Sequence, residues 1–230
     1  MTDGRAWLLA IDTATNTIVV AAGSVDGRII AADSSEGRHR HSQELLPAIA
    51  RLMDGAGLHL ADLRGIVVGV GPGAFTGLRV GLATAKTLAH ELDRPVVGIP
   101  TSDALLAGAA GAVLWLPSGP RDRVVVTAGR PPAVVRGDET AGAAASAPQD
   151  GGSSLDVAVD LEGRASEAAL ARGRRAVERL PGSLLALGAA RLAAGEADDP
   201  VRLVPRYASP PRGAPVGGPE GEVAWSRGPR

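Results

Sequence analysis

The stretch that most constrains the fold is residues 69–92, GVGPGAFTGLRVGLATAKTLAHEL. Ile66, Val67, Val68 and Val70 lead into it as a short β-branched run, the pattern of a strand buried on both faces of an α/β sheet. Gly71, Pro72 and Gly73 stop that run in a turn, because glycine reaches φ > 0 and proline presets the backbone. A helix capped by Thr76 is predicted next, with Leu78, Leu82, Ala85, Ala89 and Leu92 forming one apolar stripe. Beside the stripe, Gly77, Gly81 and Ala85 recur at every fourth position. A glycine inside a helix costs about 1 kcal/mol relative to alanine. Two on one face therefore predict a close helix–helix contact, with the partner helix in this chain or in another.

Outward from this block, residues 7–12 (WLLAID) read as a strand ending in an acid and Thr13, and residues 17–25 as a second. Asp26-Gly27 is a hairpin signal, and residues 28–33 make a third strand. Three antiparallel strands ahead of any helix separate this chain from a dinucleotide-binding fold, which begins βαβ. Residues 41–56 carry Leu45, Leu46, Ile49, Leu52, Met53 and Ala56 on one helical face, with Pro47 expected to kink the first turns. A short helical turn at 60–63, the strand at Ile66, the glycine-rich helix, a strand at 96–99 and a helix at 101–110 complete the order βββαβαβα. Residues 112–116 and 123–128 read as strands opening a second copy of this layout. Residues 131–154 read as an Ala/Gly-rich loop or weakly ordered insertion, 166–180 and 183–194 as helices, and 201–208 as extended. The expected division is an N-terminal half at 1–110, a reduced second half at 111–208 and a disordered Pro/Gly-rich tail at 209–230.

Composition removes several classes of function. With no cysteine there is no disulfide scaffold, no cysteine metal site and no thiol catalysis. A net charge of −1 provides no global field for nucleic acid, so contact with RNA must be local or made by a partner. Residues 1–12 lack the basic and long apolar segments of a secretory signal, and no run of about 18 apolar residues occurs. The expected compartment is the cytoplasm.

Few residue patterns suggest chemistry. GVGPGA matches a relaxed GxGxxA fingerprint with Glu91 at the ribose-acid spacing, but the strands ahead of it and Pro72 inside the turn are the wrong context. No GK[ST] follows a glycine at Walker spacing. His39 and His41 would point the same way on an extended segment, yet no third metal ligand joins them, and they read as a polar lead-in to the helix with Ser42 as a cap. Ser102-Asp103 and Ser34-Ser35 lack a positioned base. Asp12 and Thr13 at a strand end before a hairpin are placed as in actin-like ATPases that hold a metal-bound phosphate; a turn-capping aspartate accounts for them equally.

The blocks LAIDTATNTIVVAAG, RHRHSQELLPAI and GVGPGAFTGLRVGLATAKTLAHELDRPVVGIPT, in this order, resemble the TsaB (YeaZ) family. That family is the non-catalytic member of the bacterial machinery that makes N6-threonylcarbamoyladenosine in tRNA. The likeness is densest over residues 7–106 and most specific at GPGAFTGLR; LPSGPRDRVVV and LVPRYA carry a looser one. It implies an actin/Hsp70-like (ASKHA, RNase H-like) α/β fold of two related halves, the second reduced. It implies a catalytic partner, TsaD, a joining ATPase, TsaE, and a homodimer when TsaD is absent. ATP is implied only in the complex, with no cofactor on this chain alone, and tRNA only through the complex. TsaD carries an HxxxH metal motif where this chain reads IPTSDALLAG, so no catalytic residue is expected. The partner interface implied by the resemblance comprises Leu45, Ile49, Leu52 and Met53 with Gly77, Gly81 and Ala85, while Leu78 and Leu82 face either the interface or the sheet. Asp12 and Thr13 become a vestigial phosphate site. An autonomous ASKHA nucleotide-dependent enzyme is the alternative.

Overall fold

A computed structural model of the chain describes residues 6–37, 40–118, 121–127, 130–136 and 155–208. The expected tail, most of the insertion and His39 lie outside those residues. Two sheets organise the rest. β1 (Trp7–Asp12), β2 (Thr17–Ser24) and β3 (Ile29–Glu36) form an antiparallel meander, and β4 (Leu63–Gly69) and β5 (Val96–Ile99) add in parallel beside β1, for the order β3-β2-β1-β4-β5. β1 is buried at all six positions because both faces of the sheet are covered. One face carries α1 (His41–Ala56) and α2 (Phe75–Glu91), whose Leu45, Ala48, Ile49, Leu52, Leu82, Ala85 and Ala89 share a core with Trp7, Leu9, Ile11, Ile66 and Val68.

The second sheet repeats this plan in shortened form. β6 (Ala112–Ser118), β7 (Asp122–Thr127) and β8 (Ala133–Val135) pair antiparallel, and β9 (Leu155–Ala158) joins β6 in parallel as β4 joins β1. Two meanders, each extended by a parallel strand and then a helix, are the actin/Hsp70-like arrangement of related halves. The counterpart of β5 is missing among the described residues. β8 lies inside the stretch 131–154 expected to be a loop or weakly ordered insertion, which corrects that expectation at its start, and β9 begins directly after it; their short apolar runs are hidden in a composition dominated by alanine and glycine.

The two expected helices at 166–180 and 183–194 are one, α4 (Glu167–Ala193), capped by the Ser166 hydroxyl, which accepts from Ala169 N at 3.2 Å. Pro181 removes one backbone donor. The helix nonetheless continues, since Leu180, Leu184 and Leu185 on either side of it are fully buried. The first half of α4 packs on β9 and its second half on the first sheet. α3 (Thr101–Leu105) ends earlier than expected, and α2 begins at Phe75 after Ala74, with no Thr76 cap.

Beyond α4 the chain returns as a strap along the first sheet. Asp198 N donates to Val96 O at 2.9 Å and Arg206 N donates to Val70 O at 2.7 Å. The Asp198 carboxylate accepts from Gly98 N at 2.7 Å and from Arg191 Nη1 at 3.0 Å. Burial pushes this carboxyl up, but the Arg191 hydrogen bond, the Gly98 N–H and the charges of Arg191 and Arg206 outweigh it and hold it below the ordinary range. The stabilisation is present above that range and lost as pH falls through it. Asp198→Ala is expected to lower stability by about 2 kcal/mol at pH 7, read by chemical denaturation, with the difference shrinking below pH 4.

Candidate functional site

The ends of β1, β4 and β5 converge on a buried polar knot. Asp12 has no solvent exposure. Its Oδ2 accepts from Thr101 Oγ1 at 2.6 Å and its Oδ1 from Ala14 N at 2.9 Å. Thr101 Oγ1 in turn accepts from Gly71 N at 3.1 Å, tying the start of α3 to the turn after β4. Burial raises the Asp12 carboxyl to about 6, against the lowering effect of the two hydrogen bonds. Gly69 makes room for it, since a Cβ there would stand 1.7 Å from Asp12 Oδ2.

Thr13 links the knot to α2. Its hydroxyl donates to Gly77 O at 2.7 Å, and a Cβ on Gly77 would lie 2.0 Å from Thr13 O and one on Gly81 2.2 Å from Thr13 Oγ1. The glycine flank of α2 is therefore a seat for the chain's own first strand, which corrects the expectation that it meets a partner helix. The physical reason is the approach of backbone to backbone where β1 ends, which only glycine permits. The correction extends to Leu45, Ile49, Leu52 and Ala85, 1%, 6%, 5% and 0% exposed in the core between helices and sheet. Met53 is half-buried at the margin of that core. His41 is buried, and its Nε2–H donates to Thr15 O at 3.0 Å, a role in closing the loop after β1.

Asp12 and Thr13 are thus brought together, but as structural groups. Both are buried with their polar atoms engaged inside the chain, which does not fit a phosphate-binding loop, where donors must face the ligand. Beside the knot, a cleft of about 460 Å³ opens between the first sheet, the second sheet and the strap. Its lining includes Ser102, Asp103, Arg130, Arg206 and Tyr207. Tyr207 of that lining, the chain's single Tyr, meets its single Phe: the ring centroids of Phe75 and Tyr207 are 4.9 Å apart, with the Arg79 guanidinium 5.2 Å from the Phe75 ring centroid. Sequence reasoning missed Thr101, Arg206 and Tyr207 as members of this region. The available signal was the LVPRYA segment, whose residues gain a place only once the strap is folded back.

The outward sides of α1 and α2 differ in character from the inward ones. Leu46 is 57% exposed and Phe75 40%. Around them Gln43, Pro47, Ala50, Thr76, Ala83 and Thr87 are exposed and uncharged, and Arg79 and His90 are exposed on the same side of α2. Exposed Leu46 among uncharged positions on α1, with Phe75 and the Arg79 above its ring on α2, has the mixed composition of an interface in which arginine and aromatic residues are common.

Comparison with known proteins agrees with this architecture. A family model described as "TsaD: tRNA N6-adenosine threonylcarbamoyltransferase" matches residues 35–183. An uncharacterized Mycobacterium tuberculosis protein is 38% identical over 120 residues, 51% of this chain and 56% of its own length. The Bacillus subtilis tRNA threonylcarbamoyladenosine biosynthesis protein TsaB is 37% identical over 100 residues, 44% of this chain and 43% of that protein. The first curated relatives are thus matched over only 33% to 56% of their own length. The YeaZ structure from Pseudomonas aeruginosa superposes with a TM-score of 0.65 at 25% identity, covering 88% of this chain and 99% of that one. With the family model spanning more than half of its length, this protein belongs to the TsaD family, and its named relatives are TsaB and YeaZ proteins.

Proposed function

We propose that this protein is a non-catalytic scaffold subunit in the synthesis of N6-threonylcarbamoyladenosine in tRNA, and that it binds and supports a catalytic TsaD-family subunit through the outward face of α1 and α2. The observation that carries the reading is the exposed surface around Leu46, Ala50 and Ala83, uncharged on α1 and carrying Arg79 on α2, on a chain whose inward helix faces are satisfied by its own sheet. Relatives named for threonylcarbamoyladenosine biosynthesis support the pathway. The closure of Asp12 and Thr13 supports a scaffold over an autonomous nucleotide-dependent enzyme, and calorimetry with ATP and magnesium on the isolated chain is expected to show no binding. ATP and a TsaE-type ATPase enter with the complex, in the cytoplasm where tRNA is modified. No described helix is long and apolar enough to cross a membrane.

The test is co-elution with the TsaD-family subunit of the same organism on size exclusion. The wild-type chain forms a complex, and Leu46→Glu weakens it by at least about tenfold, or about 1.4 kcal/mol, while melting like wild type. Light scattering without the partner reports whether a second copy closes the same face. No complex with wild-type protein, or unfolding of Leu46→Glu, contradicts the proposal.

A further inference from the structure

The chain as a whole carries 24 basic against 25 acidic residues, yet its charge is not evenly spread. α4 holds five arginines and two glutamates, a net charge of +3 in a protein of net −1. Arg172, Arg175 and Arg179 are spaced three and four apart and form one ridge. The ridge is turned outward by the packing beneath it. Gly173 is pressed on β9 so closely that a Cβ would lie 1.8 Å from Ala158 O, and Ala169, Ala176 and Leu180 are buried on that same side. The acids nearby are already committed or lie to one side. Glu167 pairs with Arg174 at 2.6 Å on the opposite flank of the helix, and the Asp156 carboxylate accepts from Trp115 Nε1 at 3.0 Å. Glu178 lies three residues after Arg175, at the edge of the ridge on the side that also carries Glu167, and is the one acid within a helical turn of it that makes no ion pair among the described residues. Arg172 donates through Nε to Asp156 O at 2.6 Å, and its terminal nitrogens make no hydrogen bond among the described residues. Arg175 and Arg179 are exposed and make no ion pair or side-chain hydrogen bond among the described residues.

We propose that the ridge Arg172, Arg175 and Arg179 on α4 is a phosphate-backbone contact for tRNA, on the side of the molecule built by the second sheet and away from the α1/α2 docking face. At about 1.5 Å rise per residue the three positions span about 10 Å, the length of about three successive phosphates on one strand. Guanidinium groups held on a rigid helix suit phosphate oxygens, and no base-reading geometry is needed because such contacts position rather than specify. Identification of the polyanion as tRNA rests on the scaffold reading above.

The experiment measures anisotropy of a fluorescein-labelled, unmodified tRNA transcript against the full-length chain and against its complex with the TsaD-family subunit, over 50–200 mM KCl. The variants are R175E/R179E, R175K/R179K and R64E/R202E, the last making the same charge change at exposed arginines elsewhere. R175E/R179E is expected to weaken tRNA binding by tenfold or more and to reduce the salt slope by about 1.4–1.8. R175K/R179K stays within about twofold of wild type, R64E/R202E is unaffected, and co-elution with the partner is retained throughout. An unchanged affinity and slope in R175E/R179E overturns the proposal, as does an equal loss in R64E/R202E or loss of the protein complex in place of tRNA binding, which would make the ridge a protein contact. Failure of the wild-type chain to bind the TsaD-family subunit overturns the scaffold reading alone, because the isolated chain still reports on the ridge; absence of tRNA binding by both chain and complex overturns the ridge.

Discussion

Gly81→Arg is expected to leave no cooperatively folded protein at 25 °C, whereas Ala83→Arg, two positions further along the same helix, folds normally and loses only its partner. At Gly81 the first added carbon meets Thr13 Oγ1 at 2.2 Å, and a guanidinium would follow into a site closed by the chain's own first strand. Overpacking alone costs about 1–3 kcal/mol, and an unpaired buried charge adds several more, together on the order of the 5–15 kcal/mol that holds a domain folded. The milder Gly77→Ala faces a backbone oxygen at 2.0 Å and is expected to cost about 3 kcal/mol despite the better helix propensity of alanine. Ala83 is exposed on the other side of α2. Circular dichroism melts of the three variants separate the inward flank from the outward one, and a folded Gly81→Arg protein would contradict the packing described above.

Asp12→Asn is expected to stabilise the protein at neutral pH by about 2–3 kcal/mol and to flatten its pH dependence. The carboxyl is held at about 6 in the folded chain, above its ordinary value of 3.8. The folded state therefore binds its proton more tightly than the unfolded state does, and stability falls as pH rises from about 4 to 6, by about 1.4 kcal/mol per unit of separation. It is constant again above that window. Asparagine keeps the acceptor for Ala14 N, and its amide donates to Thr101 Oγ1 where the carboxylate had accepted from it; the Thr101 hydroxyl proton loses its acceptor, which offsets about 1 kcal/mol of the gain from removing the buried charge. Urea unfolding from pH 4 to 8 measures this directly. A wild-type curve without that fall, or an asparagine variant less stable at pH 7.5, would show that the carboxylate is better accommodated than its burial indicates.

Much of the fold was readable because hydrophobic period and turn chemistry agree over residues 7–99. The β-branched run at Ile66 to Val68, the Asp26-Gly27 hairpin and the apolar face of α1 each point to one local answer. The second sheet was half legible, since β9 offers only four residues and α4 runs through a proline that usually ends a helix. The errors at the site have a single origin. Gly77, Gly81 and Ala85 correctly signalled a close approach, but periodicity along a helix cannot say what approaches; here it is the Thr13 backbone, 64 residues earlier than Gly77 and invisible to any local pattern. Leu45, Ile49 and Leu52, part of the interface that the resemblance implies, form the apolar stripe of α1, and in a lone helix an interface stripe is indistinguishable from a core stripe. Of the outward residues proposed to take their place, Leu46 merges in the sequence with the buried face of α1, and Ala50 and Ala83 are too small to register as a stripe. Thr101 and Tyr207 join the region only through long-range pairings, Thr101 with Asp12, 89 residues earlier, and Tyr207 with Phe75, far earlier in the chain.

The most direct test of the scaffold account is to quantify N6-threonylcarbamoyladenosine in tRNA digested after reaction with the TsaD-family subunit and its remaining partners, with this chain supplied as wild type, Leu46→Glu or Asp12→Asn. The account predicts modification that depends on the chain, is lost with Leu46→Glu and persists with Asp12→Asn. Full modification with Leu46→Glu, or its loss with a folded Asp12→Asn protein, would contradict it.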